Sequence, residues 1–252
     1  MDIKVVIPTY KRAGRVSTLD VVSPCILCVA ESEYDVYTEF YPDVEIVTHP
    51  DTIIGLASKR QWIYEYFKNV FMLDDDVTTF TRRYTGNRRK RFVGVSPEQA
   101  FAQIQWCGNT ARLVGAYLFG FAKEPNPLLY KPFSPIKLSG FATGCAFGLL
   151  EGSQLEFSPK TVAVEDFYIS GMNAYFHRKA FFDSRFNFVQ KDTFKNVGGQ
   201  AHYRTIETEA KDTLLLRELF GECLERKASF HGGGSMLSTN KNQYGRTLKI
   251  PF

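Results

Sequence analysis

A mainly parallel α/β sheet with helices on its faces is the fold this sequence predicts, and three observations predict it. Short β-branched or apolar runs recur through the first eighty residues with helix-length spacers between them. The spacer at residues 55–67 carries apolar side chains at 56, 57, 62, 63, 66 and 67, which is a helical stripe. Each run stops on polar or charged residues, as strands do where the carboxyl edge of a parallel sheet meets a ligand. With 252 residues, 44% hydrophobic and 23% charged, a single domain with a substantial core is expected.

The first strand is residues 3–7, which run into Pro8-Thr9-Tyr10 and a polar turn containing Arg12. The second, residues 25–30, ends at Glu31; the third, residues 44–47, ends at Thr48-His49-Pro50. Gly55 opens the helical spacer, and Arg60 lies within it. The next strand is Phe71-Met72-Leu73, which stops abruptly at Asp74-Asp75-Asp76. Side chains alternate along a strand, so Asp74 and Asp76 should face one side and Asp75 the other. Two carboxylates on one side are half of a site for a hard cation such as Mg2+ or Mn2+.

A basic stretch follows. Arg82, Arg83, Arg88, Arg89, Lys90 and Arg91 fall within ten residues, with Gly86-Asn87 at the tip of an expected exposed loop or hairpin. Ser96 caps a helix that begins at Pro97 and runs to about Thr110. Residues 116–122 read as a strand, broken by Glu124-Pro125-Asn126-Pro127. Residues 138–148 are rich in glycine, which fits a close approach to a ligand or a sheet corner. Residues 162–164 lead into Glu165-Asp166 and then a helical pattern; acids at a helix start are favoured by its positive end, so capping alone accounts for one of the two. Residues 211–221 read as an amphipathic structural helix closed by glycine. His231 precedes three glycines, beside backbone that can wrap around a ligand, and residues 240–252 form a polar, basic tail or lid.

Five scattered cysteines give no secreted-type disulfide framework, and Cys25 and Cys28 sit inside a strand, where two buried thiols are expected rather than zinc or redox chemistry. The amino terminus lacks the pattern of a signal peptide and no apolar run reaches transmembrane length. A cytoplasmic protein without membrane insertion is the expectation.

In this order the features resemble the GT-A fold glycosyltransferases, especially the family 2-like group. Residues 5–10 are similar to the strand and loop that hold the nucleotide base there, and Glu31 to the acid that ends the second strand. Gly55 with Arg60 resembles a Gly-x-x-x-x-Arg segment near the nucleotide, although Gln61 stands where Asn is usual. Asp74-Asp75-Asp76 resembles the D-x-D motif, Glu165-Asp166 the x-E-D motif, and His231 the late histidine of the metal site. The resemblance spans residues 3–235. It implies a nucleotide-sugar half at about 1–80, an acceptor half at about 81–239, and one catalytic domain over 1–239.

It also implies roles. Pro8, Thr9, Tyr10, Arg12, Glu31, Arg60, Asp74 and Asp75 would contact a nucleotide-sugar, most simply a UDP-sugar. Asp76, Asp74 and His231 would hold Mn2+ or Mg2+. Asp166 would be the general base of an inverting transfer and Glu165 its orienting neighbour. The chain further resembles phage glycosyltransferases that decorate hydroxymethylated pyrimidines, which makes double-stranded DNA the expected acceptor and Arg82, Arg83, Arg88, Arg89, Lys90 and Arg91 its phosphate contacts. A carbohydrate or surface-polysaccharide acceptor is the alternative; nucleotidyl transfer and a non-catalytic nucleic-acid-binding role on the same scaffold are readings of other classes.

Overall fold

The computed structural model describes residues 1–84, 93–190, 205–226 and 246–249. The first half alternates as expected: β1 (Lys4–Pro8), β2 (Ile26–Ala30), α1 (Tyr34–Phe40), β3 (Glu45–His49), α2 (Leu56–Phe67) and β4 (Val70–Leu73). Then come β5 (Val77–Arg82), β6 (Val93–Gly94), α3 (Pro97–Leu113), β7 (Leu118–Phe121), β8 (Ile136–Lys137) and β9 (Ala146–Leu149). The last described elements are α4 (Glu165–Phe176), β10 (Ala180–Asp183), β11 (Phe186–Gln190), α5 (Ile206–Phe220), β12 (Leu224–Arg226) and β13 (Arg246–Leu248).

The central sheet has the order β3-β2-β1-β4-β9-β7-β10-β8. Strands β3, β2, β1 and β4 are mutually parallel, as are β7 and β10, while β9 and β8 run against their neighbours. This is the expected mainly parallel α/β sheet, compatible with a single GT-A-like domain. A second antiparallel sheet, β11-β5-β6, continues directly from the turn after β4.

Alternation along the strands makes two cores. Val5, Ile7, Phe71 and Leu73 face α3, whose Ala100, Ile104, Cys107 and Ala111 are buried against them. Val6 and Met72 face the other way, with Ile63 of α2 and Ile169 of α4. Much of the high phenylalanine content lies in one aromatic cluster, Phe71, Phe80, Phe119, Phe121, Phe186 and Phe188, which fastens the small sheet to the large one. These rings are packing rather than a base-stacking cleft.

Local signals explain several boundaries. Ser96 accepts from the Gln99 amide and Pro97 fills the first turn of α3, as the sequence predicts. Helix α5 begins five residues before the expected start at residue 211, because Thr205 and Thr208 form a reciprocal cap. Part of the expected tail is a strand: β13 pairs with β12, and Leu248 packs with Leu216 and Leu224. Cys28 is buried and Cys25 half-buried in and beside β2, both as free thiols. No described helix is long and apolar enough to cross a membrane.

Candidate active site

The carboxyl ends of β1 and β4 point to the same edge of the sheet, since the strands are parallel neighbours. There the backbone after Leu73 turns into β5, and Thr18 fastens the turn by donating its hydroxyl to the Asp74 carbonyl at 2.6 Å and accepting the Val77 amide at 3.0 Å. The three aspartates lie in a turn beyond the end of β4 rather than on the strand, so strand alternation does not set their directions. Asp75 turns inward and accepts from the Thr9 hydroxyl and from Arg12 Nη1, each at 2.7 Å. Asp74 and Asp76 both accept from the side-chain amide of Gln190 at the end of β11, and Asp76 also lies 3.4 Å from Arg12 Nη1.

Arg60 ties this turn to the second acidic pair. Its guanidinium has no exposed surface, and it donates to Asp74 at 2.7 Å, to the Gly144 carbonyl at 2.6 Å and to Glu165 at 3.1 Å. Glu165 is buried in the first turn of α4, and Asp166 beside it accepts the Phe167 amide at 2.8 Å. Gly144 lets these parts close up: a Cβ there would lie 3.1 Å from Asp166 Oδ2. The glycine-rich segment thus divides. Gly144 belongs to the site, whereas Gly148 makes room for the Phe119 ring, 2.1 Å from where its Cβ would be.

Burial raises several acids. The Asp166 carboxyl is pushed up to about 7 by desolvation first and the neighbouring Glu165 second, with the Phe167 amide and Arg60 opposing. Asp74 is pushed up to about 7 by desolvation, with Arg60 pulling it back and Asp76 adding to the rise. Asp75 is also raised by burial, against the pull of Arg12. Lys59, whose ammonium donates to the Thr9 carbonyl at 2.7 Å, is lowered by burial.

The remaining residues expected at the site differ in burial and partners. Arg60 has no exposed side-chain surface and is enclosed by Asp74, Gly144 and Glu165. Arg12 is nearly buried, with Asp75 at 2.7 Å and Asp76 at 3.4 Å, so its charge is met within the protein. Thr9 and Asp75 are buried in the same network, and Pro8 is buried in β1. Arg83 is buried too and donates to the carbonyls of Ser184 and Asn126, so it is not a surface cation. Arg82 lies half-buried over the Tyr84 ring at 5.3 Å. Glu31 is exposed just beyond β2, and Tyr10 is half-buried with the ammoniums of Lys11 and Lys59 at 5.0 and 5.7 Å from its ring centre. His231, Arg88, Arg89, Lys90 and Arg91 lie outside the described residues.

Three contributors escaped the sequence reading. Gln190 stands 114 residues from Asp76, and an isolated glutamine at a strand end carries no signal. Lys59 was hidden beside Arg60 in the helical stripe. Asp212 of α5 is buried, and its carboxylate accepts the amides of Val162 and Ala163 just ahead of Glu165, with its shorter contact at 2.8 Å. Among the described residues, no group of three or more His, Cys, Asp and Glu side chains is arranged to hold a metal. The convergence of Asp74 and Asp76 on the Gln190 amide nevertheless fits a cation, because that N–H group already fills the place with positive charge density.

Comparison with known proteins bears on this site. Residues 3–199 match the family model described as TET-Associated Glycosyltransferase. The beta-glucosyl-HMC-alpha-glucosyl-transferase of Enterobacteria phage T6 is 37% identical over 134 residues, which is 49% of this chain and 47% of that protein. The protein of the same name from Enterobacteria phage T2 is 33% identical over 133 residues, with the same coverage of 49% and 47%. The chain spans about half the length of the curated relatives it matches.

Proposed function

The chain belongs to the TET-associated glycosyltransferase family, and from that premise we propose that it is a metal-dependent, inverting enzyme that moves a sugar from a nucleotide-sugar, a UDP-sugar in the simplest case, to the hydroxyl of a hydroxymethylated pyrimidine in DNA. The observation that carries this reading is the Arg60 bridge, which brings the Asp74–Asp76 turn and the Glu165–Asp166 helix start to one sheet edge. The phage relatives carry the name beta-glucosyl-HMC-alpha-glucosyl-transferase, which supports glycosyl transfer and a modified-base acceptor.

Asp74 and Asp76, with His231 as a third ligand, are the residues that would hold Mg2+ or Mn2+. Bound there, the cation would supply positive charge against the negative charge that develops on the departing diphosphate. The protein's own groups do the rest. Glu31 and Tyr10, just beyond the carboxyl ends of β2 and β1, would contact the nucleotide. Asp166 takes the proton of the acceptor hydroxyl; that oxygen forms its bond to the anomeric carbon as the carbon–phosphate oxygen bond breaks, and a nucleoside diphosphate leaves. One displacement with one base and no enzyme nucleophile inverts the anomeric centre. Glu165, held by Arg60, fixes the first turn of α4 and thereby the direction of Asp166.

The test is incubation with a panel of sugar nucleotides, Mn2+ and hydroxymethylated DNA, followed by digestion and mass measurement of the nucleosides. A nucleoside heavier by one sugar residue, with free nucleoside diphosphate, is expected. Release of pyrophosphate instead would move the reading to nucleotidyl transfer, and sugar gained only by added glycans would move the acceptor to carbohydrate.

A further inference from the structure

Resting on the DNA-acceptor reading, we infer that residues 123–138 are a duplex-contacting finger whose Phe133 wedges between bases and helps extrude the target nucleotide. Position is the first reason. β9 runs against both β4 and β7, so β4 and β7 are parallel and leave the sheet at the same edge. The segment after Phe121 therefore starts at the edge that carries Asp74, Asp76 and Asp166. Lys123, at its root, stands 4.8 Å from the Phe141 ring, which packs at 4.6 Å against Phe167, the neighbour of Asp166.

Exposure and charge are the second reason. Phe133 is fully exposed at 103%, and Leu128 and Leu129 are 74% and 57% exposed, an apolar tip that the fold leaves uncovered. Lys123, Lys131 and Lys137 of the same segment are exposed, against its one acid, Glu124. An apolar tip set among cations matches a duplex, where phosphates meet the lysines and a ring can enter the base stack. An enzyme that must bring a base to a buried carboxylate needs such a device.

Stiffness is the third. Arg83, expected at the phosphates, instead holds the segment from inside through the Asn126 carbonyl at 3.2 Å and the Ser184 carbonyl at 3.0 Å. Tyr130 packs beside Tyr84 at 6.3 Å, the Ser184 amide donates to the Pro135 carbonyl at 2.7 Å, and Pro125, Pro127, Pro132 and Pro135 limit the backbone. The tip is presented by a braced loop, which reduces the ordering cost of insertion.

The full-length chain should be mixed, without sugar donor, with a duplex carrying 2-aminopurine beside a hydroxymethylated pyrimidine. A rise in fluorescence is expected with the wild type and with Phe133→Tyr, and loss of the rise with Phe133→Ala, whose circular dichroism should match the wild type because the ring is free of packing. With donor present, Phe133→Ala should lower transfer to duplex by about tenfold while leaving transfer to a single-stranded oligonucleotide within about twofold. An unchanged rise in Phe133→Ala, or no rise with the wild type, overturns the wedge. So does a Phe133-dependent association with lipid vesicles or with a second copy of the chain that replaces the effect on duplex. A Phe133-dependent rise without sugar transfer to any DNA would leave the wedge standing and remove the DNA-acceptor reading instead.

Discussion

Arg60 reaches Glu165, 105 residues away in the chain, and Asp74, 14 residues away, from a position with no exposed surface. Removing one side of such a buried arrangement leaves uncompensated charge, so Arg60→Ala should cost about 3–5 kcal/mol in denaturant unfolding. Arg60→Lys should also fail to restore transfer, because one ammonium lacks the forked geometry that meets two carboxylates and a carbonyl. Asp166 carries a different liability. Its carboxyl, ordinarily near 3.8, is pushed up to about 7. In the proposed base role it would work when ionised, so kcat should rise with pH through about 7 and then level off. Stability moves oppositely. Between the ordinary value and about 7 the folded chain holds a proton that the unfolded chain has lost, so stability falls as pH rises across that window. Asp166→Asn should therefore gain on the order of 1–3 kcal/mol in thermal melts at about pH 8 while lowering transfer by about a hundredfold or more. A variant with full activity would remove Asp166 from the base role.

Helix α5 read in the sequence as structural, and in the fold it acts on the site at one remove. Asp212 accepts two successive amides, Val162 and Ala163, and so sets the chain path into the first turn of α4. Asp212→Ala leaves those amides unpaired, at a cost of about 1–3 kcal/mol in unfolding experiments. Because the loosened element carries Asp166, kcat should fall more than KM rises; an unchanged kcat in a folded variant would confine Asp212 to stability. The elements differ in how plainly the sequence announces them. Pro97 after Ser96 states the start of α3 in four residues, and the continuous apolar run at Phe71–Leu73 states a buried strand. The Asp212 bond is not written locally at all, since it joins residues some fifty positions apart. Gly144 and Gly148 look alike in sequence, yet one serves Asp166 and the other a core ring, a distinction set by what lies across from each.

On the scale of the whole molecule, a formal net charge of +4 is modest, and its placement decides what it can do. Arg12, Lys59, Arg60 and Arg83 are all buried in the packing, so an interface for phosphate falls to cations that the fold leaves outside, Lys123, Lys131 and Lys137 among them. If those three each neutralise a phosphate, affinity for duplex DNA should drop roughly 40-fold between about 50 and about 200 mM salt. Changing all three to glutamine should flatten that slope in fluorescence-anisotropy titrations; a slope that stays the same would place the DNA elsewhere.

The sequence by itself determined the alternation of strands and helices, the parallel first half of the sheet, and the acidic ends at Asp74–Asp76 and Glu165–Asp166, because periodicity, caps and abrupt polar stops act over a few residues. Only the tertiary structure decided which charged groups remain free to act. Arginine looks the same in sequence whether it meets a ligand or a carboxylate of its own chain, and the choice depends on side chains that the folded sheet brings together from distant segments. Desolvation at that junction, which no local pattern records, raises both Asp166 and Asp74 to about 7.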